Sequence, residues 1–109
     1  MKLAIIGSRT ITNIDIAPYI PEGVTEIISG GAKGVDTLAE AYADKHRLSK
    51  HIIRPRYDLA APIKRNELIV AACDMVLVFW DGKSKGTLSS INLAKKLEKE
   101  ILMVTFENS

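Results

Sequence analysis

Five short apolar runs, none of them alternating with polar residues, recur along this chain and restrict what it can fold into. They are KLAII (2–6), TEIIS (25–29), HIIR (51–54), MVLVFW (75–80) and ILMVTF (101–106). The first four stop at Gly7, Gly30, Pro55 and the Asp81-Gly82 pair. A strand with one wet face alternates polar and apolar residues; a strand covered on both faces does not. The runs therefore predict strands of a parallel sheet with helices on both sides.

The intervening segments carry the helical period. GVDTLAEAYADKHR (34–47) sets Val35, Leu38, Ala39, Tyr42 and Ala43 on one face and its charges on the other. PIKRNELIVAAC (62–73) opens on Pro62, which suits a first helical turn. TLSSINLAKKLEKE (87–100) sets Leu88, Ile91, Ala94 and Leu97 on one stripe. The first connection, ITNIDIAPYIPEG (11–23), has room only for a short helix, because Pro18 and Pro21 interrupt it. The sum is β-α-β-α-β-α-β-α-β, a three-layer α/β domain with a five-stranded parallel sheet, spanning residues 1–109 as one unit. Right-handed crossovers leave few topologies. The Rossmann-like order 3-2-1-4-5 is the expected one, with the flavodoxin-like order as the alternative.

Composition narrows the partners. A chain of 109 residues is long enough for a core, and 47% hydrophobic with 26% charged residues is the balance of a globular protein. A net charge of +2 tolerates an anionic ligand but does not by itself point to a nucleic-acid binder, which usually shows a clustered basic stripe. Aromatic residues are 6% of the chain, so stacking platforms for single-stranded nucleic acid are scarce. The single cysteine, Cys73, forms no intrachain disulfide, and MKLAIIGSRT has no secretory core; both fit the cytoplasm. The longest apolar stretch, LIVAACDMVLVFW (68–80), is too short for a bilayer and carries Asp74. It reads as a helix end, a break and a buried strand, and no membrane partner is expected.

In open parallel sheets, ligands sit outside the carboxyl ends of the strands, near the switch point. Four segments leave that edge: GSRT (7–10), SGGAKGVD (29–36), the stretch running into KRN (64–66) and WDGKSKGT (80–87). In the order 3-2-1-4-5, strands 2, 1 and 4 are neighbours, so three glycine-bearing loops converge on one cleft. Two of them open into helices, whose N-terminal amides favour anions. Glycines let a phosphate or ribose approach the main chain. The expected ligand is phosphorylated or nucleotide-like. Candidate binding residues are Gly7, Ser8, Arg9, Gly30, Gly31, Ala32, Gly34, Asp36, Arg65, Asn66, Trp80, Gly82, Ser84, Gly86 and Thr87.

Several of these have a plainer reading beside the functional one. Arg9 either clamps phosphate just past strand 1 or is a solvated turn residue. Asp36 is stabilising in a first helical turn in any case, and could also accept from ribose or base. Trp80 packs the strand end or stacks on a base. Thr87 is an N-cap or a phosphate-binding hydroxyl, and the two roles are compatible. Lys33 and Lys85 read as surface lysines, His46 and His51 as surface or strand-edge residues, and Tyr42 and Cys73 as core. No group of His, Cys, Asp and Glu has metal-ligand spacing, and no cofactor is implied. GGAKGVD is not a P-loop, since no GK[ST] follows at the required spacing. No GxGxxG follows strand 1, so classical NAD binding is unsupported.

In combination, GSR after strand 1, SGGAKGVD after strand 2, the RN pair opening the third helix and D-G-x-S-x-G-T after strand 4 resemble the SLOG superfamily. More narrowly, they are similar to its short YspA/YpsA-like members. The resemblance covers about residues 3–105. It implies a Rossmann-like domain that binds nucleotides or nucleotide-derived ligands, related to sensor domains of bacterial conflict systems, the Lonely Guy phosphoribohydrolases and the DNA-processing protein A group. It implies that Gly7, Ser8 and Arg9 line the pocket and that Gly30, Gly31, Gly34 and Asp36 approach phosphate or ribose. Arg65 and Asn66 match the helix-opening pair, and Gly86 and Thr87 match the phosphate-binding turn. It also implies dimers or larger assemblies. The chain departs from the Lonely Guy pattern PGGxGTxxE: its stretch reads GKSKGTLSS, with Ser90 where the catalytic glutamate stands. A serine supplies no carboxylate for an oxocarbenium-like centre.

The favoured function is therefore a binding or sensing module for a nucleotide-derived, phosphorylated small molecule. One alternative is a hydrolase of N-glycosidic or phosphate bonds, with Asp36 or Asp81 as the catalytic carboxylate. Another is a DNA-binding module like DNA-processing protein A. A lone sensing domain would act through an effector protein partner or by sequestering its ligand.

Overall fold

The structure is a computed structural model that describes residues 1–8, 11, 14–30, 34–53 and 63–105, with backbone alone at 63–66. Its elements are β1 (Lys2–Gly7), a 3₁₀ turn (Ala17–Tyr19), β2 (Glu26–Ser29), α1 (Val35–Lys45), β3 (Ser49–Ile52), α2 (Ile63–Ala72), β4 (Met75–Trp80), α3 (Lys85–Lys96) and β5 (Glu100–Thr105). The five strands form one parallel sheet in the order β3-β2-β1-β4-β5, the Rossmann-like order. Pro18 sits in the opening positions of the 3₁₀ turn, where its missing N–H costs nothing, and the turn runs for three residues.

Strand alternation divides the core into two layers. Leu3, Ile5, Ile27, Leu77 and Phe79 face Val35, Ala39 and Ala43 of α1, together with Ile11 and Ile16 from the first connection. Ala4, Ile28, Val76 and Val78 face Ile69, Val70 and Cys73 at α2 and Ile91 and Ala94 of α3. Tyr19 closes the first layer, its ring edge-on to Phe79 at 5.5 Å. Among the described residues no helix is long and apolar enough to cross a membrane.

The outer strands differ from the expectation of burial on both faces. β3 begins two residues before HIIR, and its Ser49, Lys50 and His51 are exposed. Leu102 and Met103 of β5 are exposed as well. Each outer strand has one neighbour and less helix above it, so an apolar run there is only half covered. α3 is also turned from its expected stripe. Its buried line is Thr87, Ser90, Ile91 and Ala94, while Leu88 and Leu97 are exposed. Three of those four side chains are small and line the face toward the sheet; the two leucines flank it. Tyr42, expected in the core, is half-buried and stacks on His46 at 4.1 Å.

Asp74 breaks the run between α2 and β4 and ties the two central strands at their starts. Its Oδ2 accepts from the Lys2 N–H at 2.8 Å, and its own N–H donates to the Lys2 carbonyl at 2.8 Å. Cys73 is buried, and its Sγ donates to the Val70 carbonyl. Burial pushes its thiol pKa up, against a smaller opposing pull from Lys99. The thiol is therefore neutral at pH 7. Reaction with a disulfide reagent is expected to be slow in the native protein and fast in urea, as followed by absorbance.

Gly7 is where the sheet and α1 meet most closely. A Cβ there would stand 2.4 Å from Val35 Cγ2 and 2.6 Å from Val35 Cβ. Gly7→Ala is expected to cost about 1–3 kcal/mol in urea unfolding. Val35→Ala in the same chain should recover part of that loss, because it removes the clashing methyls.

Candidate functional site

The loops after β1 and β4 are joined by Ser8. Its side chain is buried. Its N–H donates to the Phe79 carbonyl at 3.0 Å, its carbonyl accepts from the Ile11 N–H at 3.1 Å, and its Oγ accepts from the Asp81 N–H at 3.2 Å. Asp81 then shapes the next turn. Its Oδ1 accepts from the N–H of Lys83 at 2.8 Å and of Ser84 at 2.9 Å. Gly82 takes a positive φ of 80° in that turn. Trp80 is half-buried against the second core layer, and its indole N–H donates to the Ser84 carbonyl at 3.1 Å. Strand-end packing is the role the structure shows for Trp80.

Ser84, not Thr87, is the N-cap of α3. The Ser84 Oγ accepts from the Thr87 N–H at 3.3 Å and from the Thr87 hydroxyl at 3.0 Å. Thr87 sits at the third helical position because Lys85 and Gly86 already belong to the helix. The first amides of a helix have no acceptor within it. With Thr87 capped, those of Lys85 and Gly86 are the first amides left without an acceptor inside the helix. Gly86 has helical backbone, and a Cβ there would meet nothing within 4 Å. Neither packing nor conformation accounts for a glycine at that position. The exposed Lys83 and Lys85 flank the same turn. Ser90, aligned with the Lonely Guy glutamate, is buried in the helix–sheet layer, and its hydroxyl donates to the Gly86 carbonyl at 3.2 Å.

On the other side of β1, Gly30 is buried at the end of β2, and Gly34 opens α1 with φ 81° and ψ −126°. That conformation belongs almost wholly to glycine. Without a side chain, Gly34 leaves α1 with no side-chain cap. Asp36 lies in the first turn at 8% exposure and is not a free carboxylate. Gly7 serves the close seat of Val35. Ser29, which the motif reading passed over, is 1% exposed, and its Oγ has no hydrogen-bond partner. A serine at the end of an otherwise aliphatic strand was the available signal. Arg9, Gly31, Ala32 and Lys33 lie outside the described residues, as do the side chains of Arg65 and Asn66. The backbone of Arg65 and Asn66 belongs to the first turn of α2. The described residues hold no cluster of His, Cys, Asp and Glu that could bind a metal.

A five-stranded parallel sheet in this order, with helices on both faces, defines an α/β protein of Rossmann-like fold. Among solved structures, the chain is similar to DNA processing protein A from Helicobacter pylori, described for its unique single-stranded DNA binding mode. The match has a TM-score of 0.71 and 26% sequence identity, and covers 94% of this chain. The chain spans 64% of the length of the solved chain it matches. No protein-family model and no curated protein matches its sequence.

The Asp81 turn and the Ser84 cap hold the β4–α3 loop in shape. Asp81→Ala removes the acceptor for two amides and is expected to cost about 1–2 kcal/mol. Ser84→Ala should cost about 1 kcal/mol. Urea unfolding of the two variants and their double mutant measures both, and the double mutant should fall short of the sum because the residues share one turn.

Proposed function

We propose that the chain is a SLOG-like module, one domain over 1–109, that binds a nucleotide-type phosphorylated ligand at the carboxyl edge of β2, β1 and β4. The observation that carries this reading is Gly86. It weakens the start of α3, and neither a close contact nor its backbone conformation requires a glycine there. A phosphate oxygen fits there, against main-chain amides at a helix N-terminus and beside Lys83 and Lys85. Binding without turnover is the form this reading takes. The Asp81 carboxylate is occupied by two amides of its own turn, and Ser90 lies under the helix. The cytoplasm is the proposed setting. The exposed Leu88, Leu97, Leu102 and Met103 support self-association, and a partner protein that reads the bound state completes the proposal.

A second reading, single-stranded DNA, is favoured by the similarity to DNA processing protein A. Both readings place phosphate on the same edge; they differ in length of ligand and in salt dependence. AMP, ADP-ribose, NAD and a 20-mer oligothymidylate, tested by thermal shift at low and high salt, separate them. A mononucleotide that raises Tm with little salt dependence supports the first reading. An oligonucleotide effect that collapses with salt supports the second. Gly86→Ala should leave stability equal or raise it by about 0.5–1 kcal/mol and weaken the active probe at least tenfold. Unchanged affinity in that variant overturns the assignment of this edge. Chromatography of the mixture returns the ligand intact if there is no turnover.

A further inference from the structure

The two outer strands of the sheet differ in how their free edges are protected. An edge strand presents unpaired N–H and C=O groups to any strand that arrives, and proteins guard such edges with short strands, charges, prolines or bulges. β3 is guarded. It has four residues, of which Ser49, Lys50 and His51 are exposed, and Lys50 makes an ion pair with Asp44 at 2.9 Å. β5 carries none of these devices. Its six residues, EILMVT, include no proline and no lysine, and its register with β4 runs unbroken from Glu100 to Thr105, without a bulge. Among the described residues no strand lies beyond it.

The middle of β5 is apolar on both faces. Leu102, level with Leu77, turns toward the first core layer, and Met103, level with Val78, toward the second. They are 38% and 41% exposed. The one charge of the strand, Glu100, stands at its start. An unbroken apolar edge of this kind is a template for another strand.

A second copy of the same edge fits it. Soluble oligomers are most often closed by a two-fold axis, and an axis perpendicular to the sheet lays β5 antiparallel to its copy. Antiparallel neighbours turn their N–H and C=O groups the same way at each pair, so odd residues face odd and even face even. With Leu102 on the axis, Leu102 meets its counterpart and Ile101 meets the partner's Met103. With Met103 on the axis, Leu102 meets the partner's Val104. Either register sets apolar against apolar at the centre of both faces. Either also keeps the two Glu100 carboxylates about 14–20 Å apart along the strands, beyond a screening length of about 8 Å. α3 packs on both β4 and β5. The axis therefore sets it about 10 Å from its copy, the spacing of packed helices.

We infer that β5 pairs antiparallel with β5 of a second copy of this chain, joining the two sheets into one. This gives the self-association proposed above its surface and symmetry, and it rests on that part of the reading alone, not on the ligand. Reversal of strand direction turns the two carboxyl edges to opposite ends of the joined sheet, so each copy keeps its own ligand edge.

The test is sedimentation velocity at micromolar concentration on the parent chain, on Leu102→Lys, on Leu102→Glu and on an equimolar mixture of the two variants. The parent should run as a dimer. Each variant alone should run as a monomer, its dimer weakened at least tenfold, because like charges then stand about 5–8 Å apart across the axis. The mixture should recover the dimer, since opposite charges then meet, and recovery shows that both variants are folded. His51→Lys, on the guarded edge, should leave the dimer intact. If the Leu102 substitutions abolish the native circular dichroism, the same pair of substitutions at Met103, on the other face, carries the test. A monomeric parent overturns the inference and the self-association with it, while the ligand edge stands. A dimer that survives both single substitutions uses another face and overturns the β5 pairing alone. Monomeric variants whose mixture stays monomeric overturn the two-fold pairing, and so does loss of the dimer in His51→Lys.

Discussion

The seat of Val35 on Gly7 is the contact from which the rest of the edge is laid out. β1 is the central strand, with β2 on one side and β4 on the other. A helix that touches its last residue without an intervening side chain brings its own N-terminus down to the strand ends. Gly34 makes the descent possible by turning the chain into α1 through a backbone conformation closed to other residues. Ser29, Gly30 and Asp36 are grouped because of that descent. A helix held one side chain higher would open the layer containing Leu3, Ile5, Ile27 and Ala39.

The other half of the edge is built on different physics. Between β1 and β4 the polar side chains are spent on main-chain groups. Ser8 takes the Asp81 amide, Asp81 takes two amides of its own turn, and Ser84 takes that of Thr87. Such bonds make a rigid loop and leave few side chains to meet a ligand. What the loop does present is main chain: the first amides of α3, opened by a residue with no side chain. A nucleotide-type ligand suits that surface because phosphate is bound well by fixed amide dipoles and needs no matching side chain.

Much of this was legible in the residues. The three central runs are buried as their lack of alternation requires, because β2, β1 and β4 have neighbours on both sides and helices on both faces. Glycine positions marked the carboxyl edge of the sheet and the two helices that begin there. Individual roles were harder to read. Thr87 looked like a cap because it follows a glycine, yet the helix starts two residues earlier and Ser84 holds that place. The stripe Leu88–Leu97 looked like the buried face of α3, yet close approach to the sheet favours the line of Thr87, Ser90 and Ala94 beside Ile91. HIIR looked like a strand buried on both faces, yet the sheet takes up Ser49–Ile52 in its place and leaves that edge wet.

The residue pattern by itself determined the fold class and the edge where loops gather, and it narrowed the strand order to two, of which the structure takes 3-2-1-4-5. Those follow from periodicity, strand burial and the handedness of crossovers, all of which are local or generic. Only the tertiary structure decided what each polar residue does there. A hydroxyl or carboxylate has a role only relative to the groups within hydrogen-bonding distance, and those come from other elements: Asp81 beside Ser8 is a contact across 73 residues of chain. The same holds for what is left over. That Ser29 lacks a partner and that Gly86 faces open space are properties of the space around them, which no run of letters contains.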